Sequence, residues 1–396
     1  MRLLINELDK RATIKLNKNI KVGNTNGIMD FGDNNDYPQI IERIFNESIS
    51  ATAIANIFAK FLVGKGFENP LINNQVIGKD IKGKDVTVLQ LLRLCANNLS
   101  RHNGTYVHIA ETIDMVVKEV KHIPFKYCRF TKKDDTGYCA KVAVYDNWEK
   151  DSVKKFEKEK INSYPIWNKS KEAFASNIQA CGGFETFTGR VNYLFFDNQY
   201  LYPLSPIDTV YMDADSEAQI SLFKNNQLRN GFLDKTILRV QPPSTEKERE
   251  EFISNIKKAL GVDGDPVLTL EDEVDENGEI KKTGAFALDT LKSTINDKLF
   301  ENWEKSLRNN IRIAYWALPA LLVDYEESKL GTTSGEAINQ AVKFYNAITK
   351  DFRSEISEFF KEIFSNFDNE ILANNQNWDI KELELYASNI PTATGL

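Results

Sequence analysis

The chain has 396 residues, a formal net charge of −7, 42% hydrophobic and 27% charged residues. These values suit a globular protein with a sizeable core and length for two or three domains. They argue against a chain that grips nucleic acid, which shows a basic face or stripe; an acidic wall still lets DNA slide past. Cys95, Cys128, Cys139 and Cys181 have no Cys-x-x-Cys spacing, and with only His102, His108 and His122 there is no zinc pattern. The cysteines read as free thiols in a reducing compartment. The apolar patch in Met1–Lys10 is too short for a signal peptide. No run approaches the roughly 20 apolar residues of a membrane span, so the chain is expected to be cytosolic when made.

Residues 1–36 are polar and rich in Asn and Gly, an extended arm leading to Tyr37-Pro38. Pro38 opens a helix in its first turn. The pattern predicts one helix to about Val63, with Ile40, Ile41, Ile44, Ile49, Ile54, Ile57, Phe58 and Phe61 inward and Gly64-Lys-Gly66 as its stop. Leu89 to Asn98 reads as a short helix, Tyr106 to Ala110 as a strand, and Met115 to Val120 as extended or helical. Between Cys128 and Phe196, strands at 141–145 and 191–196 bracket a charged stretch and a turn at Cys181-Gly-Gly183, read as a small β-rich module inserted in a helical scaffold. A helix is expected over 206–232, a strand at 237–240, a helix at 246–260 and a strand at 267–270. A hairpin turning at Asn277-Gly278 would return through 285–288.

Two amphipathic helices follow. Leu299, Phe300, Trp303, Leu307, Ile311, Ala314 and Leu318 form the stripe of the first; Ile338, Ala341, Val342, Tyr345, Ile348, Phe352, Ile356, Phe359, Phe360, Ile363 and Phe367 form that of the second. Thr333 and Glu336 fit a capping box starting the second helix. A run of roughly 33 residues makes about 50 Å of helix, a length suited to an architectural subunit. Most rings of the stripe read as core, with some left to meet a neighbouring subunit. Past Phe367 the chain turns polar and irregular.

Signals for chemistry are weak. There is no phosphate-binding Gly-x-x-x-x-Gly-Lys-Ser/Thr and no Gly-x-Ser-x-Gly elbow. Gly64–Gly66 and Gly261–Gly264 read as helix stops. Glu273, Asp275, Asn277 and Gly278 imitate part of a calcium loop, but the acid needed at its twelfth position is Gly284. His102 and His108, with Glu111 near, read as partly buried histidines before they read as acid–base groups or ligands. Asp213, Asp215 and Glu217 could gather a metal, yet acids early in a helix complement its dipole, and that reading is preferred. No catalytic residue, cofactor or metal is expected.

The order of segments resembles the portal proteins of tailed bacteriophages. The likeness is carried by Asn35-Asp-Tyr-Pro38, the helix through Ile54-Ala-Asn-Ile-Phe-Ala-Lys60 and its exit Val63-Gly-Lys-Gly-Phe67. It continues in Ser205-Pro-Ile-Asp208 through Gly231-Phe232, then Leu318-Pro-Ala-Leu-Leu322, Leu330-Gly and Thr333-Ser-Gly-Glu-Ala-Ile338, and spans about residues 30–367. It implies an α+β subunit with long central helices, an α/β wing and an inserted β-rich clip. By position, 1–36 would be an N-terminal arm, 37–127 the first part of the wing and a possible stem start, and 128–196 the clip. Residues 197–232 would be a stem helix, 233–318 the second part of the wing with a long helix, and 319–335 the tunnel loop. Residues 336–367 would be the long helix and 368–396 a tail or reduced crown. The family forms a ring, usually of twelve subunits, at one capsid vertex of the virion. DNA is packaged and ejected through it, and terminase, major capsid protein and head–tail adaptors dock on it. Tyr325, Glu326, Glu327 and Lys329 would then be the side chains nearest DNA, the acidic pair letting phosphate slide and one lysine being too little charge to retain it. The alternative is a metal-dependent nuclease, or other phage DNA-processing enzyme, using Asp213, Asp215 and Glu217; a further one is another virion adaptor or host-interaction protein.

Overall fold

Ser48 divides what the apolar pattern reads as one helix. In the computed structural model, which describes residues 24–25, 27–32, 34–148, 161–229, 235–240, 286–291, 297–323 and 334–384, α1 spans Tyr37–Glu47 and α2 spans Ile49–Val63. Ser48 is extended, and its hydroxyl accepts the Ala51 N–H at 3.1 Å, capping the second helix. The break rotates the register, so Ile49 lies 77% exposed instead of inward. Gly64 ends α2 at φ +52°, where an added Cβ would sit 2.0 Å from the Lys381 carbonyl oxygen; only glycine fits. A short turn, α3 (Pro70–Asn73), precedes α4 (Val88–His102), longer than the sequence suggests. A Thr87–Gln90 capping box starts α4, and Asn103 in the left-handed region closes it.

The strands are β1 (Asn24–Thr25), β2 (Ile28–Met29), β3 (Val76–Lys79), β4 (Asp85–Thr87), β5 (Gly104–Glu111), β6 (Val117–Ile123), β7 (Cys128–Phe130), β8 (Lys141–Val144), β9 (Asn162–Pro165) and β10 (Arg190–Phe195). An antiparallel sheet in the order β10-β5-β6 has Tyr106 opposite Tyr193 on one side and Ile123 on the other. A second antiparallel sheet, β7-β8-β9, joins it through a parallel bridge between Ile166 and Val191. The helix α5 (Lys171–Ala180), absent from the sequence reading, starts on the Ser170 hydroxyl.

This pairing corrects the expected module at 128–196. Its last strand is the partner of β5, and Cys128, Phe130, Val142, Val191 and Phe195 belong to the main core. A buried bidentate ion pair ties the segment down: Arg190 donates to Glu111 at 2.7 and 2.6 Å, while Trp167 Nε1 donates to the same carboxylate at 3.3 Å. Residues 1–214 and 308–396 form one compact unit, and Asp215–Leu307 a second.

Five residues in a 3₁₀ turn, Pro206–Val210, lead into α6 (Tyr211–Arg229), so the helix expected from 206 starts later. In the second unit, β11 (Lys235–Val240) pairs antiparallel with β12 (Phe286–Leu291), Lys235 opposite Leu291. The strand expected at 285–288 thus finds its partner at 235–240; the helix at 246–260, the strand at 267–270 and the Asn277-Gly278 turn lie outside the described residues. The chain continues through α7 (Asp297–Ala314), and Lys224 of α6 pairs with Glu304 of α7. Helix α7 stops at Ala314, not Leu318, and Trp303 is half exposed.

The expected 33-residue helix is two: α8 (Ser334–Ile348) and α9 (Lys350–Phe364). At the interruption the Thr349 hydroxyl donates to the Tyr345 carbonyl at 2.8 Å, and Arg353 donates to Thr349 Oγ1 at 2.7 Å and to the Asn346 carbonyl at 3.0 Å. Polar side chains entering the ladder break its regularity. Helix α8 begins directly after Thr333, but the side chains of the Thr333–Glu336 box lie outside the described residues.

From Phe367 to Glu384 the chain is ordered rather than irregular. A turn, α10 (Glu370–Ala373), leads to a strap whose backbone bonds across Gly64–Glu68: Lys65 N–H to Lys381 O at 2.9 Å, Lys381 N–H to Gly66 O at 2.8 Å, Glu68 N–H to Asp379 O at 2.8 Å. Trp378 and Ile380 are buried beneath it, and the Trp378 ring stacks on Phe364 at 5.2 Å. The chain is α+β; among the described residues its main core runs from Met29 to Ile380, and Ile28, Ala143, Tyr145 and Trp148 form a smaller second cluster.

Candidate functional site

Tyr325, Glu326, Glu327 and Lys329 lie outside the described residues; the base that carries them does not. After α7, Trp316 and Ala317 both adopt left-handed backbone, φ +52° and +53°. Each such non-glycine residue costs about 1–2 kcal/mol, so the surroundings must hold them. The Trp316 ring packs 4.9 Å from Phe58 and 4.7 Å from Phe352. Arg312 donates to the Leu318 carbonyl at 2.5 Å, and the Leu318 N–H returns to the Arg312 carbonyl at 3.2 Å. Pro319 then starts a 3₁₀ turn, Ala320–Leu322.

Two buried tyrosines lock the base to the core. Tyr315 donates its hydroxyl to the Ser100 carbonyl at 3.0 Å at the end of α4, and Tyr345 of α8 donates to the Tyr315 carbonyl at 3.0 Å. Burial pushes both phenols above their ordinary pKa, so they stay neutral donors. The turn after α7 and helix α8 are therefore tied to each other and to the end of α4. The sequence reading assigned Tyr345 to the apolar stripe but missed Tyr315, Arg312 and the Trp316–Ala317 turn. The only available signal was Pro319 after the stripe, which marks a helix end upstream.

The other candidates do not come together as a reactive centre. Asp213 accepts from Asn310 Nδ2 at 3.1 Å, and no group of three His, Cys, Asp or Glu capable of holding a metal occurs among the described residues. The nuclease reading therefore finds no support here. His102 is buried, stacks on Phe125 at 4.7 Å and meets Glu42 at 2.9 Å. Burial lowers the His102 pKa against the pull of Glu42. Burial would raise the Glu42 pKa, but His102 and Arg101 hold it down to about 2. His108 meets the Thr188 carbonyl at 2.8 Å, and Glu111 is committed to Arg190. These are structural pairs. The Gly64–Gly66 stop holds the strap; Gly261–Gly264 and the Glu273–Gly278 acids lie outside the described residues. No helix among the described residues is long and apolar enough to cross a membrane.

No protein-family model matches the chain, and no curated protein matches it. Among solved structures, it is similar to a chain of the neck of an empty gene transfer agent particle computed with C6 symmetry, with 11% identity, a TM-score of 0.48, and coverage of 90% of this chain and 85% of that one. It is similar to a chain of the virion of a native gene transfer agent particle, with 12% identity, a TM-score of 0.46, and coverage of 84% and 81%. A third is an HK97 family phage portal protein from Corynebacterium diphtheriae, with 9% identity, a TM-score of 0.35, and coverage of 75% and 82%.

Proposed function

We propose that this chain is the subunit of a portal ring: a homo-oligomer, twelve copies by the family resemblance, at one capsid vertex of a virion assembled in the host cytoplasm. Double-stranded DNA would pass through its channel without sequence recognition during packaging and ejection. Terminase, the major capsid protein and a head–tail adaptor are the partners this role requires. The role asks for positioning, not catalysis, and needs no cofactor.

One observation carries the reading. In chain order α6 starts in the main unit and ends in the second, the strand pair β11–β12 lies in the second, and α7 starts there and ends in the main unit just before the clamped turn at Tyr315–Leu322. That order of helix, strand pair and helix matches a stem that carries a clip. We therefore move the clip from 128–196, whose outer strand belongs to the sheet of the wing, to the segment between α6 and α7. Helices α6 and α7 would then be the two stem helices. Residues 319–335 keep the tunnel role that the resemblance implies, with Tyr325, Glu326, Glu327 and Lys329 the side chains nearest DNA. The turn after α7 and helix α8, tied together by Tyr345, would hold that segment at a set radius.

Negative-stain imaging with light-scattering mass tests this. Rings with a central hole and a mass of about half a megadalton are expected, from 45.2 kDa per copy. A 45.2 kDa particle at every concentration overturns it.

A further inference from the structure

The hairpin β3–β4 ends in a tip that nothing among the described residues covers. Ile81 is fully exposed at 101%, with Lys79, Lys82 and Lys84 exposed around it. The tip is rigid. Asp80 Oδ1 accepts the Lys82 and Lys84 N–H groups at 2.8 and 2.9 Å, and the Asp80 N–H donates to the Lys84 carbonyl at 2.8 Å. Those bonds consume the one acid inside the loop and lower its pKa, leaving the three lysines without an ion pair among the described residues. A stiff loop that presents an isoleucine inside a cationic collar is built to be covered by an apolar, acidic surface.

The chain carries such a surface on the outer side of α8 and α9. Phe344 is 54% exposed there. Asp351, Glu355, Glu358 and Glu362 follow at spacings of three and four, one face of a helix. Phe344, Ala347, Asp351, Glu355 and Glu358 are all exposed, three or four apart across the interruption, so they mark one outer face. Glu362 meets Lys169 at 3.1 Å and Glu358 meets Lys361 at 3.8 Å. Asp351 and Glu355 form no ion pair among the described residues. Partial burial and the neighbouring Asp351 raise the Glu355 pKa, as expected where negative charge is in local excess.

We propose that the β3–β4 tip docks on the α8–α9 face of a second copy of this chain, Ile81 against Phe344 and Lys79, Lys82 and Lys84 against Asp351, Glu355 and Glu358. The contact rests on the ring reading above and gives it residues. Knob and receiving face are different patches of one unit, so the contact is head-to-tail, the kind that closes into a ring when the rotation fits. Exposed ion pairs are individually weak; here they orient the apolar knob and make assembly salt-sensitive.

The test uses the full chain with Cys139 and Cys181 replaced by serine. Ile81→Cys and Phe344→Cys together, treated with a short bis-maleimide, should give a ladder of covalent multimers. A mixture of the two single variants should stop at dimers, and each alone should give none. Reversing Lys79, Lys82 and Lys84 to glutamate should lower the ring fraction at least about tenfold with the melting temperature unchanged. Adding Asp351→Lys, Glu355→Lys and Glu358→Lys should restore it. Rings that survive reversal, with no ladder, overturn the contact and leave the ring reading standing, including the case where another virion protein covers the tip. A chain that stays monomeric overturns both.

Discussion

The exit from α2 and the exit from α9 are the same device built twice. Phe67-Glu-Asn-Pro-Leu-Ile-Asn-Asn-Gln75 recurs as Phe367-Asp-Asn-Glu-Ile-Leu-Ala-Asn-Asn375. Asn69 caps its turn by accepting the Leu71 N–H at 3.1 Å, and Asn369 accepts the Ile371 N–H at 2.9 Å. The copies grip each other reciprocally, Asn69 Nδ2 to Asn375 Oδ1 and Asn369 Nδ2 to Gln75 Oε1, both at 2.9 Å. Phe67 and Phe367, like Ile72 and Leu372, are buried, while Leu71 and Ile371 are exposed. The copies differ at the phenylalanine itself. The Phe67 backbone is held at both ends by the Asn73 side chain, at 3.0 Å each. Its counterpart is Ala373, and there the Phe367 N–H bonds the Phe364 carbonyl at 3.2 Å instead. The flanking groups are held alike: Gly66 O and Glu68 N–H by the strap, Asn366 O and Asp368 N–H by Val117 of β6.

The copies part after the shared segment, and that is where the comparison breaks most easily. The first runs into β3; the second runs into the strap that buries Trp378 against Phe67, Phe360 and Phe364. Trp378→Ala should cost about 3–5 kcal/mol in urea unfolding. It should also speed hydrogen exchange at Lys65, Glu68 and Lys381, whose amides carry the strap's backbone bonds. Unchanged exchange there would mean that the backbone bonds alone hold the strap. The next effect is smaller and one-sided. Asn73→Ala makes the first copy resemble the second but leaves the Phe67 N–H and carbonyl unpaired, a loss of about 1–3 kcal/mol. Ala373→Asn should stay within about 0.5 kcal/mol. Equal losses from both would mean that the Asn73 clamp on Phe67 stabilises nothing.

The recurrence was legible in the sequence and went unread, because a helix search registers periodicity rather than a nine-residue match far along the chain. The same search found the apolar faces but not the interruptions. Ser48 and Thr349 each sit in an unbroken apolar rhythm, and only their hydroxyls, bonded to nearby backbone, mark the breaks. The strap read as irregular because it is held mainly by main-chain bonds, with Trp378 and Ile380 its only deeply buried apolar groups beyond α10. The reading of 128–196 as a separate module has a different origin. The texture change after Cys128 is real, but pairing between 104–111 and 190–195 is long-range and leaves no local trace. At the candidate site, the helices on either side of the turn could be read from the stripe. The tyrosine lock could not, since Tyr315 and Tyr345 look like any other buried rings until their hydroxyl partners are known.

The finest test asks whether the two copies are energetically as well as geometrically alike. Asn69 and Asn369 each cap a turn and each donate to the other copy, so Asn69→Ala and Asn369→Ala should each cost about 1 kcal/mol. The clasp has two separate reciprocal bonds, Asn69 to Asn375 and Asn369 to Gln75. Removing one asparagine frees only its own acceptor and leaves the other bond in place. If the halves act independently, the double variant should lose the sum within about 0.5 kcal/mol. If instead either bond holds the two turns in register for the other, the second substitution should cost clearly less than the first. Urea unfolding of the two single variants and the double decides between them. Near-additivity makes the clasp two local caps that happen to touch, whereas a marked shortfall makes it one unit that closes the core between its first and last helices.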